Sequence, residues 1–256
     1  MKKIKTLGVT ALIAGMISLT SCLDGGENTT TGAGFGYASF DMNAGIVVKD
    51  DFGSVIAASA FNSQLTGGEY VYYLGSVDWE AQTTTDYTVA TISQIEKYPE
   101  IPTFVSIVDT TTVVTDEMAV EGVTVYMYDA NYVFTANKHM FMSATHKNVP
   151  SDIKTDYYFS YDYNAEPTIL GDTRVYDFYL RAVKVSDGTK VSTDTSILCA
   201  YDLIDFLNEK RSIEKSLGNT SVNIRIHYVK EVNDNVLNWE TTKTYSFVIP
   251  TEASNY

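Results

Sequence analysis

The chain has 256 residues, with 18 Lys and Arg against 32 Asp and Glu and a net charge of −14. An acidic body repels phosphate backbones, which excludes nucleic acid as a natural partner and leaves solubility as the plain role of the charge. The length suits one large β domain or two of ordinary size.

Lys2, Lys3 and Lys5 open the chain, and Leu7 to Leu19 is apolar apart from small or hydroxyl residues. A membrane-crossing helix needs about 20 apolar residues. This run is shorter and stands where a cleavable export signal stands. It ends in Leu19-Thr20-Ser21-Cys22, which resembles a bacterial lipobox. That resemblance implies cleavage of residues 1–21 and lipid on Cys22. Removing three lysines with the signal would take the net charge from −14 to −17. So acidic a body is repelled by anionic membrane surfaces, so the lipid has to supply the attachment. Leu23 to Gly34 is Gly, Thr and acid. We expect residues 22–34 to be a flexible tether, with a span of roughly 20 Å.

From Phe35 the pattern is β-rich, with 19 Tyr and only 5 Pro. Ile46–Val48 and Val55–Ala58 flank Lys49-Asp50-Asp51-Phe52-Gly53, a hairpin signal. Tyr70–Val77 is a third strand and Thr85–Lys97 a fourth. Pro99 and Pro102 then interrupt pairing, because Pro cannot donate to a ladder. We place a domain boundary there, with an N-terminal β domain over 35–101 and a second β domain over 102–256. In the second, Val123–Tyr128, Tyr132–Phe134, Met140–Met142, Tyr157–Tyr163 and Val175–Val185 read as strands. Asp187-Gly188 reads as a hairpin turn between Val185 and Val191. Tyr201–Lys215 is the one helix expected, with acids early, bases late and Gly218 as its stop. Val222, Ile224, Ile226 and Tyr228 alternate with polar residues, as on a one-sided antiparallel sheet. Tyr245, Phe247 and Ile249 repeat that pattern. The fold class expected is all-β: a small first domain, then an antiparallel β-sandwich with one short helix.

Candidate chemistry is sparse. His139 and His146 are seven apart and His227 lies on a polar strand face, so we expect no metal site and a solvent-exposed His227. With Cys22 lipidated, Cys199 has no disulfide partner and sits in an apolar run, as a buried small hydrophobe does. Nucleophile elbows, phosphate-cradling loops and metalloprotease motifs are missing. We therefore expect no enzyme activity and no cofactor. Tyr157, Phe159, Tyr161 and Tyr163 would share a core face. Trp79 and Trp239 fall near turns, where an exposed indole can stack on a sugar ring; they are the candidate ligand contacts.

Three stretches resemble the NigD-like lipoprotein family: Ile46–Val55, Tyr87–Lys97, and Ala200–Ile204 followed by Val222–Lys230. The resemblance implies an OB-like N-terminal domain and a C-terminal β-sandwich, and it carries no catalytic residues with it. Asp109-Thr110-Thr111 also resembles the short O-glycosylation sequon of such bacteria. The function expected is a lipid-anchored outer-membrane protein acting as a non-enzymatic binding or accessory module. A glycan-binding lipoprotein of a nutrient uptake system and a surface-fibre (fimbrial) subunit are the alternatives. The membrane partner is reached through the N-terminal lipid; a protein or a glycan is left open as the other partner.

Overall fold

The structure, a computed structural model, describes residues 28–105 and 109–250. The expected signal peptide, Cys22 and tether residues 22–27 lie outside them. First come β1 (Thr29–Asp41), β2 (Gly45–Lys49), β3 (Val55–Ala57), a short helix α1 (Ser59–Gln64), β4 (Tyr70–Asp78), β5 (Thr88–Val89) and β6 (Thr91–Tyr98). Their strands form one sheet in the order β5-β3-β2-β1-β4-β6. The ends of that order, β5 and β6, are separated in sequence by Ala90 alone. Two consecutive Cα steps reach at most about 7 Å. The sheet therefore curls until its edges meet, and chain continuity at Ala90 joins them in place of a hydrogen-bonded ladder. Gly75 helps the curl. A Cβ there would lie 2.7 Å from Ile92 Cδ1 and 2.8 Å from the Thr91 carbonyl, at the register shift between Leu74 and Gly75. Inside the curl Ala38, Val48, Ile56, Phe61, Leu65 and Val71 form a core of their own. The OB-like expectation is thus met as an open, six-stranded barrel. The expected fourth strand is broken in two at Ala90, whose N–H bonds to the Ala57 carbonyl at 2.9 Å.

The tether is shorter than expected. Thr29–Gly34 extend β1 and pair with Asp78–Tyr73 of β4. The segment has little apolar content, but an antiparallel partner satisfies its backbone. Gly34 also leaves room for the Tyr73 ring, with which any Cβ would collide.

From Glu100 onward the chain alternates between two sheets. β7 (Glu100–Ile101) joins the smaller; β8 (Thr103–Val105) and β9 (Glu117–Met118) join the larger. β10 (Gly122–Val125), β11 (Thr135–Ala136) and β12 (His139–Pro150) return to the smaller. β13 (Lys154–Tyr161), β14 (Thr168–Leu170) and β15 (Thr173–Ser186) go to the larger, and β16 (Ser192–Asp202) to the smaller. After helix α2 (Ile204–Ser216), β17 (Ser221–Asn233), β18 (Val236–Thr241) and β19 (Tyr245–Val248) complete the larger sheet.

Three expectations are corrected here. The sandwich is mixed rather than antiparallel, with β7–β16, β8–β13 and β15–β17 parallel. β17 reaches β15 only after β16 and α2, a connection long enough to reverse its direction. Asp187-Gly188 is not a hairpin but a corner between sheets, since β15 and β16 lie in different ones. The Asp152 carboxylate accepts the Thr189 and Lys190 N–H groups there at 3.0 and 2.9 Å. The helix begins at Ile204 rather than Tyr201, because Tyr201 and Asp202 are still paired with Met140 and His139. Its Phe206 packs against Tyr161, Tyr176 and Phe178, closing one end of the sandwich.

The largest core fills the space between the two sheets. A third, aromatic cluster lies between the barrel and the smaller sheet. It joins Phe35, Tyr37, Phe52 and Tyr70 of the first unit to Phe134, Phe141, Tyr126 and Tyr128 of the second. Phe52 stacks on Tyr128 with centroids 3.8 Å apart. Among the described residues, no helix is long and apolar enough to cross a membrane.

Candidate functional site

Trp79 stands just past β4, 37% exposed, with Nε1 donating to Thr30 Oγ1 at 2.9 Å. Trp239 is half-buried on β18. Its edge meets Tyr179 at 5.7 Å, and its Nε1 donates to the Thr110 carbonyl at 2.9 Å. The two indoles lie on different units of the fold. Cys199 is buried in the sandwich core, and burial pushes its thiol up to about 12. That removes the thiolate that nucleophilic chemistry needs. Tyr157, Phe159 and Tyr161 face the core as expected, but Tyr163 is exposed. The strand ends at Tyr161, and Asp162 turns the chain by accepting the Asn164 N–H at 2.9 Å. Asp109 makes a similar turn, accepting the Thr111 and Thr112 N–H groups at 2.8 and 3.0 Å, and Thr110 is half-buried in it.

His227 is not solvated as its polar strand face suggested. It is half-buried, 2.8 Å from Asp177 Oδ1 through Nε2 and 2.8 Å from Thr241 Oγ1 through Nδ1. Tyr179 stacks on the ring at 4.8 Å. A hydroxyl, an imidazole and a carboxylate in a row have the connectivity of a nucleophile, base and orienter. Here the row lies on the outer face of a sheet, and Asp177 is committed elsewhere. Burial would raise its carboxyl, but hydrogen bonds from Arg225, His227 and Thr168 outweigh that and hold it at about 2. We read the row as a structural ion-pair network.

His146 is fully buried and fully satisfied. The Ala119 carbonyl, 2.8 Å from Nδ1, can only accept, so Nδ1 carries the proton and Nε2 accepts from the Tyr157 hydroxyl at 2.7 Å.

His139 is the histidine whose surroundings the sequence did not forecast. It stands opposite Asp202 in the β12–β16 register, and Glu100 stands opposite Ala200 on the other side of β16. Ala200 carries only a methyl, so His139 and Glu100 can meet across the strand. Nε2 lies 3.0 Å from Glu100 Oε1 and 3.8 Å from Asp202 Oδ1. Nδ1 lies 2.9 Å from the Asn137 carbonyl and 2.8 Å from the hydroxyl of Tyr70, which reaches over from β4. Spacing between histidines could not reveal this site, because its other two members are carboxylates 39 and 63 positions away.

A cavity of about 420 Å³ lies at the α2 end of the large sheet. Arg174, Asn219, Ser221, Asn223, Thr244 and Ser246 line it. Its walls are pre-set by their own bonds. Asn223 Oδ1 accepts from Ser221 and Ser246 at 3.2 and 2.7 Å, and its amide donates to the Arg174 carbonyl at 3.3 Å. Arg174 Nε donates at 2.9 Å to the buried Glu214 carboxylate, which also accepts the Tyr176 hydroxyl at 2.6 Å. Burial would raise Glu214, but these bonds and one from Asn219 carry it below the usual carboxylate range. Neither tryptophan lines the cavity.

No protein-family model and no curated protein matches the sequence. Solved structures do match its fold. An uncharacterized protein from Parabacteroides merdae superposes with a TM-score of 0.74 at 19% identity, over 86% of this chain and 99% of that one. A candidate lipoprotein from Bacteroides fragilis has a TM-score of 0.54 at 14% identity, over 87% of this chain and 100% of its own. A NigD-like immunity protein from Bacteroides caccae is also among the matches, with a TM-score of 0.46 at 11% identity over 85% of this chain and 97% of its own. The family resembled in sequence is thus present among the structural matches. At these identities the likeness establishes the fold, and the weakest of the three adds no argument to it.

Proposed function

We propose that the chain is a lipid-anchored envelope protein that acts without catalysis, as a binding module for a small polar ligand. The observation that carries this reading is the 420 Å³ cavity. Its size falls within the range of small-molecule sites, and its amides, hydroxyls and guanidinium converge on one space. Hydrogen-bonded walls suit a ligand rich in hydroxyl groups, because they are held in place before it arrives. The buried Cys199 thiol and the committed His146 and His227 support a non-enzymatic role. The lipobox-like run to Cys22 supports anchoring, and the acidity of the body supports the exclusion of nucleic acid.

The exposed face of Trp79 favours a second reading, a glycan laid across the barrel surface. One experiment separates the two. Glycan-array and ligand-observed NMR screens of the full mature chain are repeated with Thr244→Arg, which fills the cavity from an exposed position, and with Trp79→Ala. The cavity reading predicts that Thr244→Arg abolishes binding at an unchanged melting temperature while Trp79→Ala binds as before. The reverse pattern places the ligand on the barrel and overturns the cavity reading.

A further inference from the structure

We propose that Glu100, His139 and Asp202 form a binding site for a first-row divalent cation on the smaller sheet, where it faces the barrel. The three ligand atoms all lie within 4.8 Å of one another. A tetrahedral ion with bonds of about 2.1 Å holds its ligand atoms about 3.4 Å apart. The observed separations of 3.0 and 3.8 Å from Nε2 bracket that value.

The histidine is preset for the task. The Tyr70 hydroxyl can donate to Nδ1, but the Asn137 carbonyl there can only accept and so favours the proton on Nδ1 and the lone pair on Nε2. That lone pair points at two carboxylates. Acceptors facing one another at 3.0 Å repel unless a positive charge lies between them. A proton on Nε2 or a metal ion between the groups supplies it. The ring's side chain is only 1% exposed, whereas that of Glu100 is 52% exposed. An ion therefore has a buried anchor and an open path to it. A second partner holding the remaining ring nitrogen of a ligating histidine is the usual arrangement around metals, and the Tyr70 hydroxyl reinforces it at 2.8 Å. Asp202 is fixed in turn, since its Oδ1 accepts the Ile204 N–H at 2.8 Å at the start of α2.

One imidazole and two carboxylates suit zinc, manganese or ferrous iron. Calcium and magnesium prefer all-oxygen sites. The ligands come from β7, β12 and the end of β16, and Tyr70 comes from β4 of the barrel. β7 begins two residues after the barrel's last strand ends. A bound ion would thus tie the crossing segment to β12 and β16, next to a tyrosine that the barrel supplies.

The test uses the full mature chain, extracted in detergent, stripped with EDTA and titrated with zinc chloride. One equivalent should bind saturably and raise the melting temperature. In ¹⁵N spectra of the histidine rings, the Nε2 resonance of His139 should move while those of His146 and His227 stay. Glu100→Gln, a half-exposed position, should leave the metal-free melting temperature unchanged and weaken zinc by about tenfold or more. Asp202→Asn should do the same. A His139 ring whose Nε2 keeps its proton throughout the titration would overturn the proposal. So would zinc affinity that survives both substitutions.

Discussion

At the scale of single residues, the network around Asp177 makes a quantitative claim. Arg225 and His227 bind its carboxylate, and Thr168 donates to it at 2.8 Å. Its folded pKa of about 2 lies below the ordinary 3.8. A carboxyl lowered on folding contributes stability that is present above its unfolded value and is lost as the pH falls through its folded one. With some solvent screening, that contribution is about 1–2 kcal/mol. Asp177→Asn should cost that much in urea unfolding at pH 7, and the gap from the parent should close by about pH 2. An equal gap at both pH values would show that lost packing, not charge, sets the cost. Which residues would meet here was only partly legible in the sequence. The alternation from Val222 to Tyr228 placed His227 on a polar face. What it hid is that β15 runs alongside in parallel and brings Asp177 beside that face. Period-two patterns report faces, not neighbours. His139 was opaque for the same reason: Glu100 and Asp202 reach it through strand register.

At the scale of elements, the strands with clean alternation were legible and the connections between them were not. β2, β3, β4, β15, β17 and β19 stand where alternation and turn residues put them. The Asp187-Gly188 corner carries the same signature as a hairpin, but the chain changes sheets there, and Asp152 from another loop accepts the N–H groups of the turn. Thr29–Gly34 had the composition of a linker because glycine serves both a flexible chain and a strand packed tightly under Tyr73. The aromatic layer between barrel and sandwich is the element-scale feature with the clearest energetic consequence. Phe141 is fully buried in it and lies 5.2 Å from Phe35 and 5.8 Å from Phe134. Phe141→Ala should therefore cost about 3–5 kcal/mol. If the layer couples the two units, chemical denaturation of this variant will split into two transitions where the parent shows one. A parent that already shows two transitions, with only one of them moved by the substitution, would mean that the units are not coupled through the layer.

At the scale of the whole molecule, the described residues form a two-part β body with a polar cavity beside α2. The fold class was legible because tyrosine, threonine and valine dominate from Phe35 onward and a single segment has helical spacing. The cavity was not, since it gathers Arg174, Asn219, Asn223, Thr244 and Ser246 from three separate segments, none of which carries a motif. With β1 beginning at Thr29, six residues separate the expected lipid at Cys22 from the first strand. With lipid on Cys22, so short a segment would hold the first unit near the membrane, within a root-mean-square span of roughly 14 Å. A single acyl chain holds a protein to a bilayer only marginally, whereas several hold it firmly. The most direct measurement is mass spectrometry of the N-terminal peptide from membrane-extracted protein, alongside fractionation of Cys22→Ser. The expected result is a mature chain that begins at a multiply acylated Cys22, and a serine variant that leaves the membrane fraction. A chain released in soluble form with an unmodified Cys22 would contradict it.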